Sequence, residues 1–273
     1  MIKRKLYQKL FDEHTSKKIS IIIGPRQVGK TTLLKQLHAE LGGLYVDLDI
    51  LENAERFETY TKTIEFLKEN GLTNNQFYLF LDEFQKYEDL TKILKNIYDN
   101  HENIKIYATG SSSIQIKQRV QESLAGRKYI HYLYPLDFEE FYQFKKGNMQ
   151  KLKNIQTMKS ASKKPEFQKL LEEFMIYGGY PEVALSKNKE DILNSIFDTY
   201  IRKDLVDYLD SREIIGIKKL IQHLAINNGK KLNITDIGQS INIQRHKIEH
   251  YLEILEETFI IHRVTPFFTN KNK

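Results

Sequence analysis

The chain has 273 residues, no cysteine and no tryptophan, and its 42 basic and 36 acidic side chains leave a formal charge of +6. Without cysteine there is no disulfide, no cysteine–zinc site and no thiol nucleophile, and no run approaches the ~20 apolar residues of a membrane span. Gln143 to Lys169 alone holds eight lysines against one glutamate, so the basic balance reports that segment and argues only weakly for nucleic acid.

The basic start Met1-Ile2-Lys3-Arg4-Lys5 is followed by no apolar core of signal-peptide length. A soluble, intracellular, cytoplasmic protein with no membrane partner is the expectation. The first 18 residues read as a short amphipathic helix built on Leu6, Leu10 and Phe11. The β-branched run from Ile19 to Ile23 predicts a strand, and the period of Leu33, Leu34, Leu37 and Leu41 predicts a helix. Between them stands Gly24-Pro25-Arg26-Gln27-Val28-Gly29-Lys30-Thr31-Thr32. It fits the phosphate-loop pattern of Gly, four residues, Gly-Lys and a hydroxyl. Strand, glycine turn and helix are what phosphate binding requires. The glycines let the backbone approach the anion, and loop N–H groups and the helix N-terminus face it. Lys30 is expected to reach the β- and γ-phosphates, and the Thr31 hydroxyl to bind Mg²⁺.

Gly42-Gly43 ends that helix, Leu44 to Asp49 alternates as a second strand, and a polar helix runs to about Asn70-Gly71. Phe77 to Leu81 is an apolar strand of the kind buried on both faces of a parallel sheet, and it ends in Asp82-Glu83. Asp82 is placed to hold Mg²⁺ through water, and Glu83 to orient and deprotonate an attacking water. A helix over Leu90, Ile93, Leu94 and Ile97 leads to the strand Ile104 to Thr109 and then Gly110-Ser111-Ser112-Ser113. Hydroxyls at that strand end suit a place beside the γ-phosphate and, equally, a helix cap.

Next come Ser123-Leu124-Ala125-Gly126-Arg127, the strand Lys128 to Leu133, Tyr134-Pro135-Leu136-Asp137-Phe138-Glu139-Glu140-Phe141, and Gly178-Gly179-Tyr180-Pro181-Glu182. The series GPRQVGKT, LDEFQ, TGSSS, SLAGR, YPLDFEEF and GGYPE resembles a bacterial and archaeal family of AAA-type predicted ATPases, over nearly the whole chain. The resemblance implies an α/β fold: a P-loop NTPase core with a parallel five-stranded sheet flanked by helices, then a small helical lid, then a C-terminal winged helix. It implies ATP and Mg²⁺ as ligands. The absence of an Asn-Lys-x-Asp guanine-reading element at a strand end is consistent with adenine. By the same resemblance Asp82 and Glu83 match the metal-holding and catalytic acids, and Ser111 the polar sensor. Arg127 matches an arginine finger supplied in trans within a homo-oligomer, with a structural salt bridge as the alternative. Pro181 matches a lid proline that packs on adenine, with a plain loop turn as the alternative. Family members usually continue into a further domain after the winged helix.

The expected division is 1–142 for the ATPase core, 143–169 for a lysine-rich linker or insertion, 170–210 for the lid and 211–273 for the winged helix. Lys145 to Lys164 reads as solvated linker, with few large apolar residues and no clear period. Helical pattern returns near Asp191, and Arg202 is a candidate to face the phosphates from the lid. Ile214 to Asn227, Ile234 to Ser240 and Gln244 to Glu257 read as helices, and Phe259 to Phe268 as strand-like, which is winged-helix order. Gln244, Arg245, His246 and Lys247 are the part that would meet DNA, but Glu253, Glu256 and Glu257 leave the unit only mildly basic, and packing against protein is the reading set ahead of DNA binding. His246 and His250 lie four apart without a third ligand and read as surface residues. The sequence therefore predicts ATP hydrolysis to ADP and phosphate, coupled to a DNA or protein partner. A slowly turning nucleotide switch and a DNA-binding regulator are the alternatives.

Overall fold

Strand β1 (Ile19–Gly24) is buried at all six positions, as a strand covered on both faces must be. Around it the computed structural model describes residues 2–84, 87, 89–111, 120, 122–146, 164–205 and 209–265. The sheet is completed by β2 (Leu44–Asp47), β3 (Phe77–Asp82), β4 (Ile104–Ser111) and β5 (Lys128–Tyr132). Its order is β2-β3-β4-β1-β5, and every pairing is parallel. Connections leave β1 and β4 in opposite directions, so the crevice at their carboxyl ends is the place where such sheets bind ligands. The register sets Gly24 opposite Ser111 there.

Parallel neighbours need crossovers, and helices supply them. Helix α1 (Lys5–Asp12) precedes the sheet, and α2 (Lys30–Leu41) follows β1. The single polar helix expected before β3 is two, α3 (Leu51–Glu55) and α4 (Tyr60–Glu69). The break falls where Thr59 leaves helical geometry and accepts the Lys62 N–H as an N-cap. Helix α5 (Leu90–Asn100) precedes β4. Leu33, Leu34 and Leu37 of α2 pack with Ile22, Phe80 and Tyr107 of the sheet and with Tyr7 and Leu10 of α1.

Beyond β5 come α6 (Phe138–Lys146), α7 (Lys164–Tyr177), α8 (Pro181–Leu185) and α9 (Lys189–Tyr200). An aromatic cluster of Phe138, Phe141, Phe144, Phe167 and Phe174 joins the first two of these. Helices thus enter the expected linker from both sides. Lys145 pairs with Glu173 at 2.8 Å and Lys146 pairs with Glu166, so these two lysines are helix-borne rather than solvated linker. The rest of that segment, 147–163, lies outside the described residues.

The chain divides into two compact units after Phe197, within α9. In the second unit a π turn (Ile201–Leu205) leads to α10 (Ser211–Ile226), α11 (Ile234–Ile241) and α12 (Arg245–Glu257). Asp210 and Glu213 form a capping box at the start of α10. Between α11 and α12 the chain turns at Asn242, which is left-handed at φ +55°. Ile217, Leu220, Ile248, Leu252 and Leu255 form the core. The strand expected from Phe259 is absent over 259–265, and 266–268 lie outside the described residues. Instead α12 closes in a Schellman motif. Phe259 adopts φ +62°, its N–H meets the Glu256 carbonyl at 3.1 Å, and the Ile260 N–H meets the Leu255 carbonyl at 2.8 Å. The apolar residues that signalled a strand, Ile260 and Ile261, pack back on the core. Among the described residues no helix is long and apolar enough to cross a membrane.

Candidate nucleotide site

The loop Gly24–Thr32 takes its shape from its glycines and from what lies behind it. A side chain on Gly24 would fall on the Leu133 carbonyl, because the chain leaving β5 runs against it, the Leu133 N–H bonding to Ile23 at 2.8 Å. Gly29 stands at φ +93°, a conformation that glycine adopts at little cost. Gln27, also left-handed at φ +61°, and the fully buried Val28 complete the turn. Lys30 opens α2, is only 5% exposed, and its Nζ donates to the carbonyls of Gly24 at 3.0 Å and Pro25 at 2.8 Å. No acidic residue stands in the first turn of α2, so its positive dipole end is left for an anion.

Asp82 ends β3 and is 2% exposed. Its carboxylate accepts the Tyr45 hydroxyl at 2.8 Å and the Thr109 hydroxyl in a short bond. Burial first, and then the Asp82 carboxylate, push the Tyr45 phenol well above its ordinary value, so it stays a donor. The Glu83 N–H approaches Thr109 Oγ1 at 3.3 Å, and Glu83 itself is left-handed at φ +55°, costly for a side chain of its size. Thr109 therefore touches both acidic positions. Sequence reading missed Tyr45 and Thr109. Thr109 stood directly before the serine run, whereas Tyr45 gave no signal beyond strand alternation. Ser111 is buried beside the first residue of the loop. Ser112 and Ser113 lie outside the described residues.

Gln27, Gly29, Lys30, Thr31 and Thr32 form one wall of a cavity of about 700 Å³, with Glu83 beside them. Its other lining is largely apolar, Ile2, Phe144, Pro181 and Leu185, with one acid, Glu182. Pro181 opens α8, and its Cγ lies 4.0 Å from where a Gly29 side chain would begin. Just before it, Gly179 comes so near Leu136 that no side chain fits, and the Leu136 N–H donates to its carbonyl at 2.6 Å. Pro181 is thus brought to the loop. Arg127 is not. It precedes β5, its carbonyl accepts the Ile19 N–H at the amino end of β1, and its guanidinium grips Asp99 at 2.7 and 3.1 Å. That bond holds the Asp99 carboxyl below the usual range. Arg202 is exposed on the π turn of the second unit. His246 and His250 are exposed, and among the described residues no group of three or more metal-binding side chains occurs.

Fold and loop together define a P-loop NTPase domain. Residues 16–142 match the AAA domain family, and residues 168–273 match a domain family of unknown function. An uncharacterized protein of Methanocaldococcus jannaschii is 30% identical, covering 92% of this chain and 57% of its own length. Another, of Haemophilus influenzae, is 28% identical, covering 98% of this chain and 67% of its own. The chain thus spans only part of the curated relatives it matches. A Walker-type ATPase of Pyrococcus abyssi has a similar fold, with a TM-score of 0.59 at 15% identity over 94% of this chain and 90% of that one. Residues 16–142 are thus an AAA-type domain on a P-loop NTPase fold.

Proposed function

We propose that this protein binds ATP with Mg²⁺ and hydrolyses it to ADP and phosphate in the cavity between the phosphate loop and α8. The observation that carries this reading is the joining of a cationic loop and an apolar wall in one cavity of nucleotide size. Loop N–H groups and Lys30 suit the phosphates. The apolar side, with Pro181, suits the base. Thr31 and Asp82 offer the oxygens that would hold the metal, and bound Mg²⁺ supplies positive charge against the phosphate oxygens. Lys30 would exchange the Gly24 and Pro25 carbonyls for phosphate oxygens. Glu83 would orient the attacking water and take its proton, with Thr109 fixing its backbone and Ser111 lying alongside. Arg127 would act on the site of a neighbouring copy, because its own loop lies at the other end of the sheet. A cytoplasmic setting belongs to the same reading.

Calorimetric titration of Lys30→Ala with Mg-ATP tests it. Removing the cation should weaken binding on the order of 100-fold, the equivalent of one or two charged hydrogen bonds. Wild-type affinity in that variant would sink the assignment.

The second unit would couple nucleotide state to a partner. Arg245, His246 and Lys247 are exposed at the start of α12, Arg245 pairing with Glu249 at 2.9 Å, which supports DNA as that partner, met by the helices of a winged-helix-like unit whose expected strand is absent over 259–265. A slowly hydrolysing switch or a DNA-binding regulator is the corresponding second reading. Turnover measured with and without duplex DNA, and DNA affinity measured against salt, separate these uses.

A further inference from the structure

Arg4 and Glu140 are 8% and 5% exposed, a buried ion pair that the nucleotide chemistry above leaves unused. Arg4 Nε and Nη2 donate to the two Glu140 carboxylate oxygens at 2.9 and 3.1 Å. The guanidinium also serves two main-chain carbonyls, Val28 at 2.8 Å through Nη1 and Tyr134 at 2.7 Å through Nη2. Glu140 in turn accepts the N–H of Lys5 at 2.8 Å and of Asp137 at 3.3 Å. One planar cation therefore ties the N-terminal segment, the phosphate loop, the exit of β5 and helix α6.

The contact with Val28 matters most. Val28 stands between the two left-handed residues of the loop, Gln27 and Gly29. Its side chain is sunk in the core and its carbonyl is held by Arg4. A buried ion pair stabilises a fold little, and apolar side chains of similar volume often do as well. An apolar side chain cannot aim a donor at a carbonyl inside the loop, and neither lysine's single ammonium nor its flexible stem reproduces the arginine fork.

We propose that Arg4 is a positioning residue for the nucleotide phosphates. Through the Val28 carbonyl it holds the loop in its anion-receiving shape, and Glu140 fixes the guanidinium in the plane this requires. A loop ordered beforehand loses less conformational freedom on binding, so affinity rises without any contact between Arg4 and ligand. The inference rests on the nucleotide reading, and it concerns the phosphate-dependent part of affinity.

The test compares ADP with AMP by calorimetry, well below each variant's unfolding midpoint. Arg4→Lys keeps the charge opposite Glu140 but loses the fork. If it fails to fold, Arg4→Met with Glu140→Leu removes the pair without leaving a buried orphan charge, and is measured in the same way. The proposal expects ADP affinity to fall about tenfold, as for one charged hydrogen bond, while AMP affinity holds, so the preference for ADP collapses. An unchanged ratio, whether both affinities fall or neither does, overturns it and leaves the pair structural. A wild-type protein that binds neither nucleotide overturns the nucleotide reading itself.

Discussion

The two ends of the five-stranded sheet bury the same kinds of polar group and use them in opposite ways. At the carboxyl ends Lys30 and Glu83 border a cavity, Asp82 is buried just before Glu83, and the backbone at Gln27, Gly29 and Glu83 is held in left-handed conformations. At the amino ends Lys105 donates to the Lys18 carbonyl at 2.5 Å and to Ser20 at 2.8 Å. Ser20 donates to Glu13, and His131 lies 3.0 Å from that same carboxylate. Burial pushes the Lys105 ammonium down to about 8 and lowers His131, although Glu13 opposes both shifts. At one end the polar groups, though bonded to carbonyls and hydroxyls of the protein, stand beside a space that a ligand can fill. At the other they satisfy one another. A buried lysine in such a sheet is thus not a functional signal by itself; the deciding feature is whether its surroundings close without a ligand.

The largest expected effect would break this division. Arg127 lies at the amino end, so a finger acting in trans would make that end of one copy serve the carboxyl end of another. Arg127→Ala should then bind ATP and turn over ~10³–10⁵-fold more slowly. Wild-type specific activity should rise with protein concentration, and mixing with Glu83→Gln should restore part of the rate. Concentration-independent turnover without rescue would leave Arg127 as the partner of Asp99. Glu83→Gln alone should keep nucleotide affinity and lower turnover ~10²–10⁴-fold, the usual contribution of a general base. A variant as active as wild type would move the base elsewhere.

The amino end is tested through pH. Lys105 should release its proton near 8 in the folded protein and near 10.5 when unfolded. Between these values the unfolded chain binds more protons, so stability should climb as pH rises from about 8 to 10.5, and be lost as pH falls back through that window. The ceiling is on the order of 3 kcal/mol. Urea melts across this range should show a flatter rise in Lys105→Met, and an identical rise would assign it to other groups. The smallest effect belongs to Tyr45→Phe, which removes one donor from Asp82. The Mg²⁺ concentration for half-maximal turnover should rise a few-fold, in keeping with ~1 kcal/mol for one hydrogen bond. An unmoved midpoint would separate Tyr45 from the metal side of the site.

What could be read in advance was local. The loop, the acids closing β3 and the strand–helix alternation each occupy a short window, where spacing and periodicity carry the information. Tyr45 and Asp82 are 37 residues apart, and Arg4 and Glu140 are 136 apart. Such pairs meet only once strand order and register are known. Lys145 and Lys146 read as solvated because charge is visible in a sequence, whereas their pairing with Glu173 and Glu166 on α7 is not. Ile260 and Ile261 have strand composition, but a helix end turned by Phe259 buries them without any pairing edge.

The bond between Leu136 and Gly179 bears on the kinetics of exchange. It ties the residues just before α8 to the connector leaving β5, the same connector that packs against Gly24. The proline wall is therefore no swinging door: it travels with the floor of the pocket or breaks a main-chain bond to move. Among the described residues, Ile2 and the exposed Leu185 also line the pocket, and their side chains can change rotamer without disturbing the sheet. Residence time would then be set by small, fast movements at the mouth, and a slow cycle would have to find its brake outside the pocket.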